Sequence, residues 1–182
     1  MPNCSAYATP YATASITTPG FVRYSRQNLD EGAKKAGRDP ETLELGSVVV
    51  GSIAKDRHKG REGAREMAAM YLANKVQNIR GSADMILQNA GLTFEEIQPI
   101  ADGMERWGRK AAARAVTDDI LHKVCPIAGT PDDCSAAIEQ YRAAGCTHIL
   151  LEVWGEDREA QAKLFGEAVL PHFKGVAAAA RE

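Results

Sequence analysis

The sequence predicts an α/β protein, on three observations. The stretch IAGTPDDCSAAIEQYRAAGCTHILLEVWGED, residues 127–157, reads as a helix with a defined start, a stop at Gly145, and then a strand from Thr147 to Val153. Upstream, a helical period beginning at Gly20 ends near Gly37 and leads into a second apolar run, Leu43 to Ile53. Between the two runs, Lys55 to about Leu121 is helical in character and contains no strand. Strands joined through helices are parallel by default, because parallel pairing needs a long crossover.

Each element has a local cause. Residues 1–19, MPNCSAYATPYATASITTP, carry two internal prolines and no sustained period, so this segment is expected to be poorly ordered, with an extended strand around Ala12 to Thr17 as the alternative. In the first helix Val22, Leu29, Ala33 and Ala36 share a face, Lys34 and Lys35 suit the C-terminal end of the helix dipole, and Gly37 suits the position just past it. Asp39-Pro40 stops the helix. The Val48-Val49-Val50 run predicts a strand covered on both faces.

Residues 54–122 read as a helical insertion within an α/β unit, broken at Gly81, at Gly91 and around Pro99, with Thr93 and Glu96 as a capping box and a second start at Thr117. A short third strand is expected at Val124 to Ile127. Thr130 then caps a helix with Pro131 in its first position and Cys134, Ile138 and Tyr141 on one face. The last helix carries Leu164, Phe165, Ala168 and Val169 as its buried stripe, for about six helices in all. Residues 20–176 thus form the α/β portion, and 177–182 a flexible tail.

Composition narrows the class of partner. A net charge of -2 with dispersed Lys and Arg leaves no electrostatic footprint for nucleic acid or an anionic membrane, so small molecules or proteins are the expected partners. The four cysteines form no C-x-x-C pair, and neither a secretory signal nor a bilayer-length apolar run is legible, which predicts a reduced, cytoplasmic setting. Cys134 and Cys146 are expected as buried small hydrophobes.

Few residues suggest chemistry. GTPDD at a helix start invites an anion, but Asp132 and Asp133 would repel phosphate there and serve as caps instead. The loop VGSIAKDRHKG has glycines and basic residues without a dinucleotide fingerprint and reads as a solvated strand-to-helix turn. His122 and Cys125 are two possible ligands without a third, a weak metal signal. On the second strand His148, Leu150, Glu152 and Trp154 share one face; in an α/β barrel, Glu152 and Trp154 would lie at the strand's C-terminal end, where such folds place their sites. The bland alternative pairs Glu152 with an arginine or solvent and lets Trp154 cap the core.

Three blocks carry a resemblance: FVRYSRQNLDEGAKKAGRDPETLEL, GTPDDCSAAIEQYRAAGCTHILLEV and LFGEAVLPHF. In order and spacing they resemble the C-terminal part of the luciferase-like flavin-dependent oxidoreductases, nearest the deazaflavin-dependent branch that includes methylenetetrahydromethanopterin reductase. The resemblance covers about residues 20–175 and leaves the first nineteen outside. It implies the last few βα units of a (β/α)8 TIM barrel with a helical insertion, using a deazaflavin (coenzyme F420) or FMN for hydride transfer or monooxygenation on a small-molecule substrate. It further implies a C-terminal fragment, inactive alone and completed by a complementary N-terminal half or by a homo-oligomer. Glu152 and Trp154 are the cofactor-pocket candidates; no catalytic residue can be carried onto this chain. The competing expectation is a non-catalytic α/β module that pairs with another chain or with itself.

Overall fold

A computed structural model describes residues 11–13, 18–78 and 82–174. The chain order is β1 (Tyr11–Thr13), α1 (Pro19–Lys35), β2 (Leu45–Ile53), α2 (Arg57–Asn78), α3 (Ser82–Ala90), α4 (Phe94–Trp107), α5 (Arg109–Ala115), α6 (Asp118–Val124), β3 (Ala128–Gly129), α7 (Pro131–Ala143), β4 (His148–Val153) and α8 (Arg158–Ala168). Single 3-10 turns follow α1 at Pro40–Thr42 and α8 at Leu170–Phe173. β1 overlaps the strand weighed as the alternative at Ala12 to Thr17, so part of the segment expected to be poorly ordered lies in the sheet. Residues 1–10 and 14–17, and the tail at 177–182, lie outside the described residues.

α1 begins where Thr18 accepts a hydrogen bond from the Phe21 amide at 3.1 Å, with Pro19 in the first helical position. It ends as expected at Gly37, whose φ of 67° lets its own N–H donate to the Lys34 carbonyl and that of Arg38 to the Ala33 carbonyl. Asp39 then accepts from the Glu41 amide and holds Pro40–Thr42 in the turn. β2 accordingly starts at Leu45, two residues later than the apolar run alone suggests.

β2 is the centre of the sheet and pairs in parallel with the three other strands. β1 lies against Leu45 to Ser47 and β4 against Gly46 to Gly51, so the two occupy opposite edges. β3 meets β2 at Ser52 and Ile53, on the side away from β4: the Ser52 amide donates to Ile127, while the Gly51 carbonyl accepts from Trp154. The third strand therefore sits just beyond its expected place at Val124 to Ile127, because α6 runs through Val124 and Pro126 has no N–H to give.

Alternation along β2 divides the helices between two cores. Leu45, Val49 and Ile53 face α1, α7 and α8, burying Val22, Leu29, Ala33, Tyr141, Phe165 and Val169. Val50 faces the opposite way, into a cluster built by α2 to α6 around Leu72, Leu87, Ile97, Ile100 and Leu121. Val48, on that second side, is only half-buried, and its register partner Leu150 is 61 % exposed. The sheet is thus covered on both sides at Val49 and Val50, while around Leu150 the face it shares with Val48 is open.

Among the described residues the insertion contains five helices, α2 to α6, and no strand. Counting these, the described residues hold eight α-helices instead of about six. Pro99 does not break α4. It lies in the second turn, where its missing N–H leaves only the carbonyl of solvent-exposed Glu95 without its helical partner, while Ile97 and Ile100 hold the helix to the core. The break falls at Gly108 instead, between α4 and α5. The break expected at Gly81 lies outside the described residues, and Gly91 ends α3 as expected. Thr93 and Glu96 form the capping box, at 3.3 and 2.7 Å. Thr93→Ala should cost about 1 kcal/mol, read as a lowered urea midpoint with an unchanged slope.

Candidate functional site

The C-terminal ends of β2, β3 and β4 converge beneath the first turns of α2. Asp56 accepts from the Lys59 amide at 2.9 Å and starts the helix directly above them. Gly60 packs so closely that a β-carbon there would lie 2.3 Å from the Gly129 carbonyl oxygen. One at Gly63 would lie 2.1 Å from Ser52 Oγ and 3.2 Å from the Trp154 carbonyl oxygen. The two glycines let α2 lie against strand ends that a helix with side chains there could not approach. On the other side Gln161 of α8 binds β2 directly: its Oε1 accepts from Ser52 Oγ at 3.1 Å and from the Ile53 amide at 2.9 Å.

Glu152 and Trp154 both reach this end of the sheet. Register pairs Glu152 with Val50, and the Trp154 amide extends the ladder by donating to Gly51 at 2.9 Å. Glu152 is half-buried, and the phenol of Tyr71, from α2, donates to its Oε2 at 3.3 Å. Burial and the neighbouring carboxylate push the Tyr71 phenol above its ordinary range, so at neutral pH it is a donor. The Trp154 ring packs against the core of α2 to α6 and is covered by the Arg158 guanidinium, 4.5 Å from the ring centre. Its buried Nε1–H has no hydrogen-bond partner among the described residues.

Sequence reasoning placed Glu152 and Trp154 on one strand face and missed Tyr71. Tyr71 lies in one helical stripe with Gly60, Ala64 and Met67, and a phenol in a stripe of small and apolar residues was the available signal. The other motifs resolve into structure. Asp133 takes both halves of the Arg57 fork at 2.8 Å and the Thr130 amide at 3.0 Å, and Arg57 above all holds its carboxyl down at about 2. Its carboxylate therefore occupies the α7 N-terminus as a cap. A group whose pKa is lowered by folding stabilises above its unfolded value and loses that contribution as pH falls through the folded one. Stability should thus drop between about pH 4 and 2, and Asp133→Asn should flatten that part of the curve by about 1 kcal/mol, the cap and a largely solvated ion pair together. Burial pushes the Cys125 and Cys134 thiols up to about 12, so both are inert hydrophobes, and Cys146 is buried as expected.

Glu152 and Trp154 thus lie two residues apart on one strand face at the C-terminal end of the sheet, the carboxylate held by Tyr71 and the indole packed beside α2. The family model of the luciferase-like monooxygenases matches residues 5–148. The chain belongs to this family. Its match begins at residue 5, so most of the stretch left outside the resemblance belongs to the family as well.

Within the luciferase-like family, the chain is 31 % identical over 161 residues to the 5,10-methylenetetrahydromethanopterin reductase of Methanopyrus kandleri, covering 88 % of this chain and 44 % of that protein. It is 27 % identical over 163 residues to the same enzyme of Archaeoglobus fulgidus, covering 86 % and 46 %. The solved structure of the coenzyme F420-dependent tetrahydromethanopterin reductase from Methanopyrus kandleri superposes with a TM-score of 0.79 at 27 % identity, covering 93 % of this chain and 47 % of that one. The chain spans about half the length of the relatives it matches. Among the described residues no helix is long and apolar enough to cross a membrane.

Proposed function

We propose that the chain supplies the last strands of a luciferase-like (β/α)8 barrel and, at the C-terminal ends of β2 and β4, one wall of a deazaflavin site in an oxidoreductase acting on a small-molecule substrate in the cytoplasm. The observation that carries this reading is the superposition on an F420-dependent reductase over 93 % of the chain. FMN is the alternative coenzyme, and monooxygenation the alternative to reduction. A deazaflavin, when bound, supplies the hydride chemistry. The residues of this chain bind and orient: Glu152 offers a carboxylate oxygen to a donor, Trp154 with Arg158 laid over its ring forms a wall, and the first turns of α2 keep water from the strand ends.

The open face at Val48 and Leu150 supports the further reading that other barrel strands cover it, from an N-terminal half or a second copy. The same exposed leucine favours the non-catalytic module as the second reading. Equilibrium titration of the purified chain with coenzyme F420 and with FMN, beside sedimentation, separates the two. The enzyme reading expects saturable binding of one coenzyme that weakens about tenfold, or 1.4 kcal/mol, in Trp154→Phe. Association of the folded chain with no binding of either coenzyme would overturn it in favour of the module.

A further inference from the structure

We propose that Tyr71 is a positioning residue for Glu152, holding one carboxylate oxygen so that the other accepts from an N–H group of the molecule bound at this face. The proposal rests on the coenzyme reading above and names the contact within it. Tyr71 and Glu152 are 81 residues apart and come from the insertion and the sheet, so their meeting is made by the fold. Gly60 and Gly63 seat the helix that delivers the phenol, and Tyr71 lies about three turns beyond Gly60 on the same stripe.

The geometry assigns the two carboxylate oxygens different tasks. Oε2 accepts from the Tyr71 phenol, whose raised pKa keeps the proton on the donor. Oε1 has no hydrogen-bond partner among the described residues. At 3.3 Å the phenol contact is long for an O–H···O bond, which leaves the pair room to tighten around a bound molecule. Two residues on, the Trp154 N–H lacks an acceptor. A ligand N–H satisfies the free carboxylate oxygen, and the pyrimidine edge of a flavin or deazaflavin carries one.

The test uses the whole chain, coenzyme F420 as the probe, and an analogue methylated at the pyrimidine N–H. Glu152→Gln and Tyr71→Phe are each expected to weaken F420 binding about tenfold. The double variant should be no weaker than either single one, because both changes remove the same contact. The methylated analogue should bind the unsubstituted chain about as poorly as F420 binds Glu152→Gln, a readout that needs no variant to fold. Tyr71→Phe should also move the Glu152 carboxyl 13C resonance in the free protein. If F420 binds but the analogue binds equally well, or if the two substitutions add independently, the role of Tyr71 is overturned while the coenzyme reading stands. An unmoved Glu152 resonance would equally overturn it. If neither F420 nor FMN binds the folded chain, the coenzyme reading fails and this role falls with it.

Discussion

Gly60→Ala is expected to destabilise the fold by about 3 kcal/mol, although alanine is the better helix former by about 1 kcal/mol. The added methyl would lie 2.3 Å from the Gly129 carbonyl oxygen, 2.7 Å from its carbon and 2.8 Å from its Cα, all backbone atoms of β3. No rotamer change relieves such a contact, so α2 must lift from the strand ends or β3 must leave β2. Lifting α2 also draws Tyr71 away from Glu152, so by that route the substitution should weaken coenzyme binding as well as stability. Gly166→Ala on α8 is the control: nothing lies within 4 Å of the added carbon, and the position is exposed. It should be neutral or stabilise by up to about 1 kcal/mol. Urea midpoints for the two variants check the contrast. Equal midpoints would mean that α2 does not pack as closely on β3 as described.

Tyr141→Ala is the second large effect. Tyr141 is fully buried on α7, in the cluster that joins α1, α7 and α8 to β2. Removing a large buried aromatic from such a core costs about 3–5 kcal/mol. Against a typical total of about 5–15 kcal/mol this leaves a marginal or unfolded chain. Tyr141→Phe keeps the ring and removes only the hydroxyl, and should cost about 1 kcal/mol. Thermal or urea unfolding of the pair separates packing from hydrogen bonding. If alanine and phenylalanine cost the same, the ring does not carry the packing of this core.

The legible parts of the fold are those with local causes. Thr130, Pro131 and Gly145 define α7 at both ends because a cap, a fixed φ and a helix terminus are written within a few residues of the bonds they make. The alternation of His148, Leu150, Glu152 and Trp154 correctly put the two pocket candidates on one face of the strand. Pro99 was misleading because the cost of a proline depends on where the freed carbonyl points, and that of Glu95 is on a solvent-exposed residue. β3 was displaced because two residues are too few to carry a period. The stripe marks Tyr71 as an unusual phenol but not its partner, since its meeting with Glu152 depends on how an insertion folds back across the sheet. Gly60, read in the sequence as the end of a solvated strand-to-helix turn, is buried in α2 and with Gly63 forms the close contact that makes that return possible.

We propose above that the coenzyme lies against Trp154 at the C-terminal ends of β2 and β4. The chain has two tryptophans, and Trp107 is 71 % exposed at the end of α4, so Trp107→Phe leaves Trp154 as the sole indole reporter. The most direct measurement is the Trp154 emission of that variant during titration with coenzyme F420. Saturable quenching is expected, weakened when Glu152→Gln is added. Saturable binding seen in the coenzyme's own absorbance with Trp154 emission unchanged, or no binding by the folded variant, would contradict it.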